Sequence, residues 1–125
     1  NRPETFTKKY NLLKMKNLKK YIVKSNEKLN FVSEKILSNN SRTVFVEEKS
    51  KIIGVITEGD ILRSLIRDDS LHLFAEDIMN KSFKFLMTRD KIVSKKLFKK
   101  FKITAIPILD NKMKIKDIIE LWDVI

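Results

Sequence analysis

The sequence predicts an α/β (α+β) fold made of two similar β-α-β-β-α units. Short runs of β-branched and aromatic residues alternate along the chain with stretches whose apolar residues recur at helical spacing. The same order of elements occurs in both halves, which is the signature of an internal repeat. Ser41 to Leu65 shows the unit most clearly, because two strands, a tight turn and a helix start follow one another there.

Composition sets the class of protein. A chain of 125 residues forms one compact unit or two very small ones, and 42% hydrophobic with 34% charged residues is typical of a soluble globular protein. There is no apolar run near 18 residues and no signal-peptide core. The absence of cysteine excludes disulfides, thiolate catalysis and cysteine metal sites, and it fits a reducing, cytoplasmic location.

The chain is strongly basic, with a net charge of +11. Its 22 lysines outnumber its five arginines and are spread over the whole sequence. Nucleic-acid recognition favours clustered or bidentate arginine, so this pattern argues against a nucleic-acid partner and favours attraction of an anionic small molecule. The densest basic cluster consists of Lys95, Lys96, Lys99, Lys100 and Lys102.

The first unit is predicted at 18–67, after an N-terminal stretch, 1–17, that lacks an initiator Met. We interpret 1–17 as an arm, part of a preceding segment or residues left by cloning. Tyr21 to Val23 reads as a strand. An amphipathic helix follows, with its apolar face at Leu29, Val32, Ser33, Ile36 and Leu37. Asn39 and Asn40 are expected to end this helix in the left-handed conformation.

The hairpin and second helix complete the unit. Thr43 to Val46 and Ile52 to Ile56 are predicted strands, joined by a turn at Glu48, Lys49 and Ser50. Thr57 to Asp60 should cap a helix whose apolar face carries Ile61, Leu62, Leu65 and Ile66. A short linking helix is expected within 68–80, at Leu71 to Asn80, where the single histidine, His72, is a poor metal ligand without a second one.

The second unit is predicted at 81–125. Phe83 to Leu86 reads as a strand, Arg89 and Asp90 as a cap, and a helical face follows at Val93, Leu97, Phe98 and Phe101. Ala105 to Leu109 and Ile115 to Ile119 are predicted strands around a turn at Asp110 to Lys112, and Trp122 begins a helix that is mostly absent from the sequence. A shift of 63 residues carries Phe45 to Ile108 and Asp60 to Asp123 without a gap.

The chain entering the second helix of the first unit has the chemistry of an anion site. Gly54 allows close approach to the strand, Thr57 offers a hydroxyl, and a helix N-terminus offers free amides. Asp60 could accept hydrogen bonds from ribose hydroxyls. Together these contacts favour a nucleotide. The alternative is that Thr57 and Asp60 only cap the helix.

The segment GVITEGDI, with Gly54, Thr57 and Asp60, resembles the Gly-hydrophobic-hydrophobic-Thr-x-x-Asp signature of the cystathionine-β-synthase (CBS) domain. The resemblance covers roughly Leu18 to Ile125 and implies two units packed as a pseudo-two-fold pair, the Bateman module. It further implies an adenosine ligand such as AMP, ADP, ATP or S-adenosylmethionine. The remaining lining of this first cleft would come from Ile22, Lys24, Arg42, Thr43 and Val44.

The second unit departs from this signature. The 63-residue shift places Asp117 at the position of Gly54 and Glu120 at that of Thr57, and only Asp123 keeps its counterpart. ITAIPILD resembles the Pro-containing strand of CBS domains, with Val44 at the proline position of the first unit. A second cleft at Thr104, Pro107, Glu120 and Asp123 would set carboxylates against a phosphate, so we expect at most one working cleft.

An enzyme is not expected, because the chain has no cysteine, no histidine pair, no Gly-rich phosphate loop and no nucleophile elbow. The IPILD strand followed by KIKDIIELWD resembles CBS pairs that precede the catalytic domain of sugar-phosphate nucleotidyltransferases. We therefore expect a regulatory part of a longer enzyme that senses an adenine nucleotide and forms a homodimer through its helices. The alternative hypothesis is a structural dimerisation module that binds no ligand.

Overall fold

The computed structural model describes residues 17–67 and 72–125, so the arm predicted at 1–17 and residues 68–71 of the linker lie almost wholly outside the described residues. The first unit contains a 3-10 turn (Leu18–Tyr21), β1 (Ile22–Lys24), α1 (Leu29–Ser38), β2 (Thr43–Glu48), β3 (Lys51–Thr57) and α2 (Glu58–Arg67). Then come α3 (Ala75–Ile78), α4 (Lys91–Phe101), β4 (Ala105–Leu109), β5 (Ile115–Glu120) and a 3-10 turn (Leu121–Asp123).

The first unit forms the predicted sheet and helix layer. Its strands have the order β1-β2-β3, with β1 parallel and β3 antiparallel to the central β2. Lys49 and Ser50 both have positive φ, 51° and 68°, as a two-residue hairpin turn requires. Alternate residues of β3 are buried, and Ile56 among them packs with α1 around Val23, Leu29 and Val46. The β-α-β-β-α order predicted for this half is confirmed.

The second unit has a smaller sheet than the sequence predicts. β4 and β5 pair antiparallel, but the predicted strand Phe83 to Leu86 is reduced to one parallel bridge between Leu86 and Ile108. The Leu86 amide donates to the Pro107 carbonyl over 3.1 Å, and the Leu109 amide donates to the Leu86 carbonyl over 2.8 Å. Phe83 and Phe85 contact each other instead, with ring centroids 5.9 Å apart. The strand prediction was therefore wrong except at its last residue.

Strand pairing corrects the register of the internal repeat. Ala105 pairs with Glu120 as Thr43 pairs with Thr57. The β5 alignment of 63 residues holds, but β4 is shifted by 62, because its hairpin turn has one more residue than the first. Phe45, not Val44, therefore occupies the position of Pro107. The extra residue lies in the turn between β4 and β5.

The end of α1 also differs from prediction. Asn39 has extended backbone (φ −112°, ψ 159°) rather than a left-handed conformation. Its buried side-chain amide donates instead to the carbonyls of Lys20, at 2.9 Å, and Thr43, at 3.0 Å. A side chain that satisfies backbone acceptors of two neighbouring segments makes a left-handed residue unnecessary here. The positive φ, 51°, falls at Arg42 instead.

The linker contains less helix than predicted. A helix was predicted at Leu71 to Asn80; among its described residues, 72–80, only Ala75–Ile78 is helical, and His72 is exposed. Trp122 lies in a 3-10 turn. No helix among the described residues is long and apolar enough to cross a membrane.

The two units share a continuous apolar junction. Tyr21, Phe45 and Ile52 of the first unit pack against Ala105, Leu109 and Ile118 of the second, and all six are buried. The Ile52 amide donates to the Met113 carbonyl across this junction at 2.9 Å. Because aromatic and aliphatic side chains of both units are buried there, core packing fixes the placement of one unit relative to the other.

Candidate functional site

A groove of about 480 Å³ lies beside the first turn of α2, at the end of β3 and the beginning of β2. Its volume is within the usual range of small-molecule sites. The first unit supplies one wall, which includes Arg42, Thr57 and Asp60, and the second unit supplies the facing wall. The second wall is formed by Ser82, Phe83, Lys84, Phe101, Lys102, Ile103, Thr104 and Ala105.

Thr57 and Asp60 cap α2 reciprocally. The Thr57 amide donates to Asp60 Oδ2 at 2.8 Å, the Thr57 hydroxyl lies 3.0 Å from the same oxygen, and the Asp60 amide donates to Thr57 Oγ1 at 3.4 Å. This capping geometry satisfies two of the helix's orphan amides. Thr57 and Asp60 therefore do cap the helix, as one of the two interpretations predicted. The same two side chains also line the groove, so capping and ligand contact do not exclude each other.

Arg42 is held at the rim of the groove in an unusual backbone conformation. Its φ of 51° is costly for a residue with a Cβ, so neighbouring contacts must hold it there. The Arg42 carbonyl accepts from the Glu58 amide at 3.1 Å, and the guanidinium pairs with the Glu58 carboxylate at 3.1 Å. About half of the Arg42 side chain remains exposed. The guanidinium is therefore within reach of an anion that enters the groove.

Positive charge dominates the groove. Arg42, Arg63, Lys84 and Lys102 oppose Glu58 and Asp60, which leaves a formal excess of two positive charges. Both acids already pair with the two arginines, whereas neither lysine forms an ion pair within the described part of the chain. Lys84 Nζ lies 4.3 Å from the centre of the Phe101 ring. A multiply charged anion would gain from the field of all four cations.

Apolar side chains form the rest of the lining. Phe45, Val55, Phe83, Phe101 and Ile103 contribute to the groove surface. Aromatic and aliphatic lining next to a few polar groups is the usual composition of a site for a flat heterocycle with a polar substituent. The groove thus combines an apolar part with a cationic part.

Four of the predicted first-cleft residues lie elsewhere. Val44 is fully buried in the core of the first unit. Ile22 and Lys24 pair with Phe45 and Glu47 towards the hairpin end of β2, roughly 13 Å along the strand from Thr43 in the case of Lys24. Lys24 Nζ binds the Glu47 carboxylate at 2.8 Å, which raises the lysine pKa.

Gly54 does permit a close approach, but to a side chain of the protein. A Cβ at this position would lie 2.6 Å from Met79 Sδ, and Gly54 is not part of the groove lining. The prediction that the glycine admits a ligand is therefore replaced by a packing role. Of the eight predicted first-cleft residues, the structure brings Arg42, Thr43, Thr57 and Asp60 together in the groove.

The sequence interpretation missed the wall from the second unit. Lys84, Phe101 and Lys102 were assigned to a strand, a helix face and a basic cluster, not to the site. Lys102 ends α4 in the left-handed conformation (φ 52°), which turns the chain towards the groove. Two-fold packing of the units would have indicated that residues after α4 face the first cleft.

The predicted second cleft is not assembled as an open counterpart. Thr104 lines the first groove, Pro107 is buried in β4, and Glu120 is only 2% exposed. Asp123 Oδ2 accepts from the Glu120 amide at 2.7 Å. Asp117, whose charge was expected to repel a phosphate, pairs with Arg89 at 2.7 Å.

Residues 17–67 and 72–125 contain no cluster of three or more His, Asp or Glu side chains that could hold a metal ion. The acidic residues of the groove are engaged with arginines and backbone amides.

Comparison with known sequences gives one family and one relative. Residues 15–67 match the CBS domain family model. Homoserine O-acetyltransferase from Methanobrevibacter ruminantium is 30% identical over 76 residues, which cover 59% of this chain and 15% of that protein. The chain thus spans about 15% of the length of this curated relative.

Comparison with solved structures gives the fold of the whole described chain. A CBS domain structure, NE2398, matches with a TM-score of 0.73 at 17% identity over 83% of both chains. The CBS domain pair of MJ0100, solved with 5′-methylthioadenosine and S-adenosylmethionine, matches with a TM-score of 0.71 at 18% identity, again over 83% of both. The cytosolic domain of the Mg²⁺ channel MgtE, solved with ATP, matches at 0.67 and 19% identity over 84% of this chain and 44% of that one. The fold is that of a CBS domain pair.

Proposed function

We propose that this CBS domain pair is a regulatory module that binds an adenosine nucleotide in the groove beside Thr57 and Asp60. One observation carries the proposal: a helix N-terminus, a hydroxyl, a carboxylate and four cationic side chains converge on one groove with an apolar wall. Two structures of the same fold were solved with adenosine compounds, which supports this ligand class.

The groove offers a contact for each part of a nucleotide. The phosphates would lie near the first turn of α2 and Arg42, where amide dipoles and a guanidinium favour negative charge. Asp60 would accept from the ribose hydroxyls. The base would pack on the apolar wall at Phe45, Phe83 and Phe101. No step of this binding requires a cofactor.

Ribose binding would have to compete with Arg63. Asp60 Oδ1 accepts from Arg63 Nη2, and Asp60 Oδ2 is used by Thr57. A ribose hydroxyl at Oδ1 would release the guanidinium, whose side chain is 61% exposed, towards the phosphates. Arg63 would thus change partners on binding, from a carboxylate of the protein to a phosphate of the ligand.

The test is calorimetric titration with AMP, ADP and ATP of the wild type and of the double variant Thr57→Ala with Asp60→Ala. We expect nucleotide heat in the wild type and none in the double variant. Asp90→Ala is the matched control, because Asp90 caps α4 by accepting from the Val93 amide at 3.0 Å and does not line the groove. Full affinity in the double variant would refute the site.

The enzyme that the module would regulate is a separate question. The closing strands resemble those that precede sugar-phosphate nucleotidyltransferase domains, while the 30% match to a homoserine O-acetyltransferase supports an acyltransferase. In either case the ligand would act by binding one arrangement of the module more tightly than another. Assays of both activities in a cytoplasmic extract of the native protein, with and without ATP, would separate these candidates.

A dimerisation function has its own observation. Leu62, Leu65 and Ile66 of α2 are 55%, 43% and 84% exposed, so this helix presents an apolar strip to solvent. We propose that a second copy covers this strip and forms a homodimer, with or without a nucleotide. Sedimentation of the wild type and of Leu62→Lys with Ile66→Lys tests this. A wild type that remains monomeric at high concentration would exclude it.

A further inference from the structure

The carboxylate of Glu120 is buried in the junction between the two units. Glu120 ends β5, is only 2% exposed, and extends its side chain towards the first unit. Its Oε2 atom accepts from the Tyr21 hydroxyl at 2.9 Å and from the Ser41 hydroxyl at 2.6 Å. A buried carboxylate with several donors forms strong, charge-assisted hydrogen bonds.

Ser41 is held from both ends by the second unit. Its hydroxyl donates to Glu120, and its carbonyl accepts from the Thr104 hydroxyl at 2.9 Å. Ser41 is itself buried and is followed directly by Arg42, the residue with φ 51° at the rim of the groove. Because that conformation is strained, it persists only while the residues around it are fixed. Loss of the Glu120 contact would free one side of this arrangement.

We infer that Glu120 is a positioning residue for the groove: through Ser41 it holds Arg42 in the conformation that presents its guanidinium to a bound anion. This inference rests on the proposed function for its ligand, but not for its geometry. Glu120 itself does not line the groove, so it acts only through its neighbours. The same contact joins the ligand wall to the junction between the units.

Tyr21 provides a matched control for this role. Tyr21 and Ser41 donate to the same carboxylate oxygen, but Tyr21 does not line the groove and is not bonded to Arg42. Tyr21→Phe therefore removes one hydrogen bond of the cluster on the side away from the ligand. Ser41→Ala removes the contact on the side of the ligand, whereas Glu120→Gln keeps an acceptor oxygen but replaces the charge-assisted bonds to both hydroxyls with weaker, neutral ones.

The first measurement is the Kd of ATP for wild type, Glu120→Gln, Ser41→Ala and Tyr21→Phe, each checked for folding by near-UV circular dichroism. We expect Glu120→Gln and Ser41→Ala to raise the Kd of ATP by about tenfold, which corresponds to the loss of one well-placed contact. Tyr21→Phe should change that Kd by less than about twofold. The melting temperature should fall in all three variants. Equal affinities in all of them would overturn the inference.

A double-variant cycle separates positioning from general destabilisation. If Glu120 acts through Arg42, then Glu120→Gln should lower the affinity for ATP much less in an Arg42→Ala background than in the wild type. Additive effects would mean that Glu120 only stabilises the fold. This result would overturn the inference while leaving the nucleotide site in place.

Hydrogen exchange of the ligand-free protein gives a readout that needs no nucleotide. The amides of residues 42–44 should exchange faster in Glu120→Gln than in Tyr21→Phe at matched stability. Absence of ATP binding to the wild type would refute the proposed function, while the exchange rates would still decide the positioning role. Equal exchange in the two variants would refute that role.

Discussion

The two units place different side chains at one position of the same local structure. Thr57 and Glu120 both precede a helical turn, and each donates its amide to an aspartate three residues later, Asp60 at 2.8 Å and Asp123 at 2.7 Å. The same amide-to-aspartate hydrogen bond therefore precedes an α-helix in the first unit and a 3-10 turn in the second. Thr57 faces the groove, whereas Glu120 is buried against Tyr21 and Ser41. One repeat position thus lines the groove in one unit and joins the units in the other.

Loss of a binding signature therefore need not mean loss of a role. The sequence interpretation treated Glu120 as a carboxylate that would repel a phosphate. In the structure, donors from the other unit surround that carboxylate, and Asp117 is paired with Arg89. The charges expected to oppose a ligand are used within the protein.

The largest effect is expected from removal of the Glu120 carboxylate. Glu120→Ala leaves the Tyr21 and Ser41 hydroxyls buried without their acceptor and opens a void at the junction, so the free energy of unfolding should fall by about 2–4 kcal/mol. Thr57→Ala, which removes a half-exposed cap, should cost only about 1 kcal/mol. Urea unfolding of both variants measures the difference. Equal losses would show that Glu120 adds nothing beyond a cap.

Placing the second unit's glutamate at position 57 tests whether a carboxylate there opposes ligand binding. Thr57→Glu should place a second carboxylate beside Asp60 and weaken ATP at least tenfold, about 1.4 kcal/mol, through charge repulsion. Thr57→Gln has nearly the same size without the charge and serves as control. Titration with ATP and with adenosine should show that the glutamate variant loses more for ATP. The same loss for both ligands would contradict an electrostatic cause.

Much of this fold was predictable because its signals are local. The helical spacing of Leu29, Val32 and Ile36, the turn at Lys49 and Ser50, and the Asp90 cap all specify structure within a few residues. The predicted strand at Phe83 failed because alternation over four residues cannot say whether a partner strand is available. The register of β4 failed because the lengths of two turns decide it, and a shift of one residue still matched apolar to apolar.

The site was predictable only on the side that carries a motif. Thr57 and Asp60, which cap chemistry and spacing place together, line the groove, and so does Arg42, which the resemblance indicated. Lys84 and Phe101 come from a different unit, and only the packing of the two units brings them to the groove. Lys24 was expected nearby, but the direction of β2 carries it to the other end of the sheet. Long-range packing therefore decided what the sequence pattern left open.

A moderate effect is expected from the cationic wall of the second unit. Lys84→Gln with Lys102→Gln removes the formal excess of two positive charges. The affinity for ATP should therefore fall severalfold, that for AMP less, and that for adenosine hardly at all. Lys112→Gln with Lys114→Gln, outside the groove, changes net charge equally and is the control. Titrations at low and high salt should show a smaller salt effect in the groove variant. Equal salt effects in both pairs would place ATP elsewhere.

The smallest effect is a change in stability at alkaline pH that depends on Tyr21. Burial, followed by the hydrogen bond to Glu120, raises the Tyr21 pKa well above its ordinary value of 10.0. The contribution of Tyr21 to the free energy of unfolding is complete below about pH 10. As the pH rises further, the Tyr21 hydroxyl loses its proton in the unfolded chain but keeps it in the native state. The free energy of unfolding should therefore fall with pH more steeply in the wild type than in Tyr21→Phe.

Lysines titrate in the same range in both proteins, so only the difference between their unfolding free energies isolates the tyrosine. That difference should be constant from about pH 8 to pH 9.5 and should narrow by pH 11, as measured by urea unfolding at matched ionic strength. A constant difference over the whole range would mean that the Tyr21 hydroxyl is not held by a charged Glu120. The junction contact of the second unit would then rest on Ser41 alone.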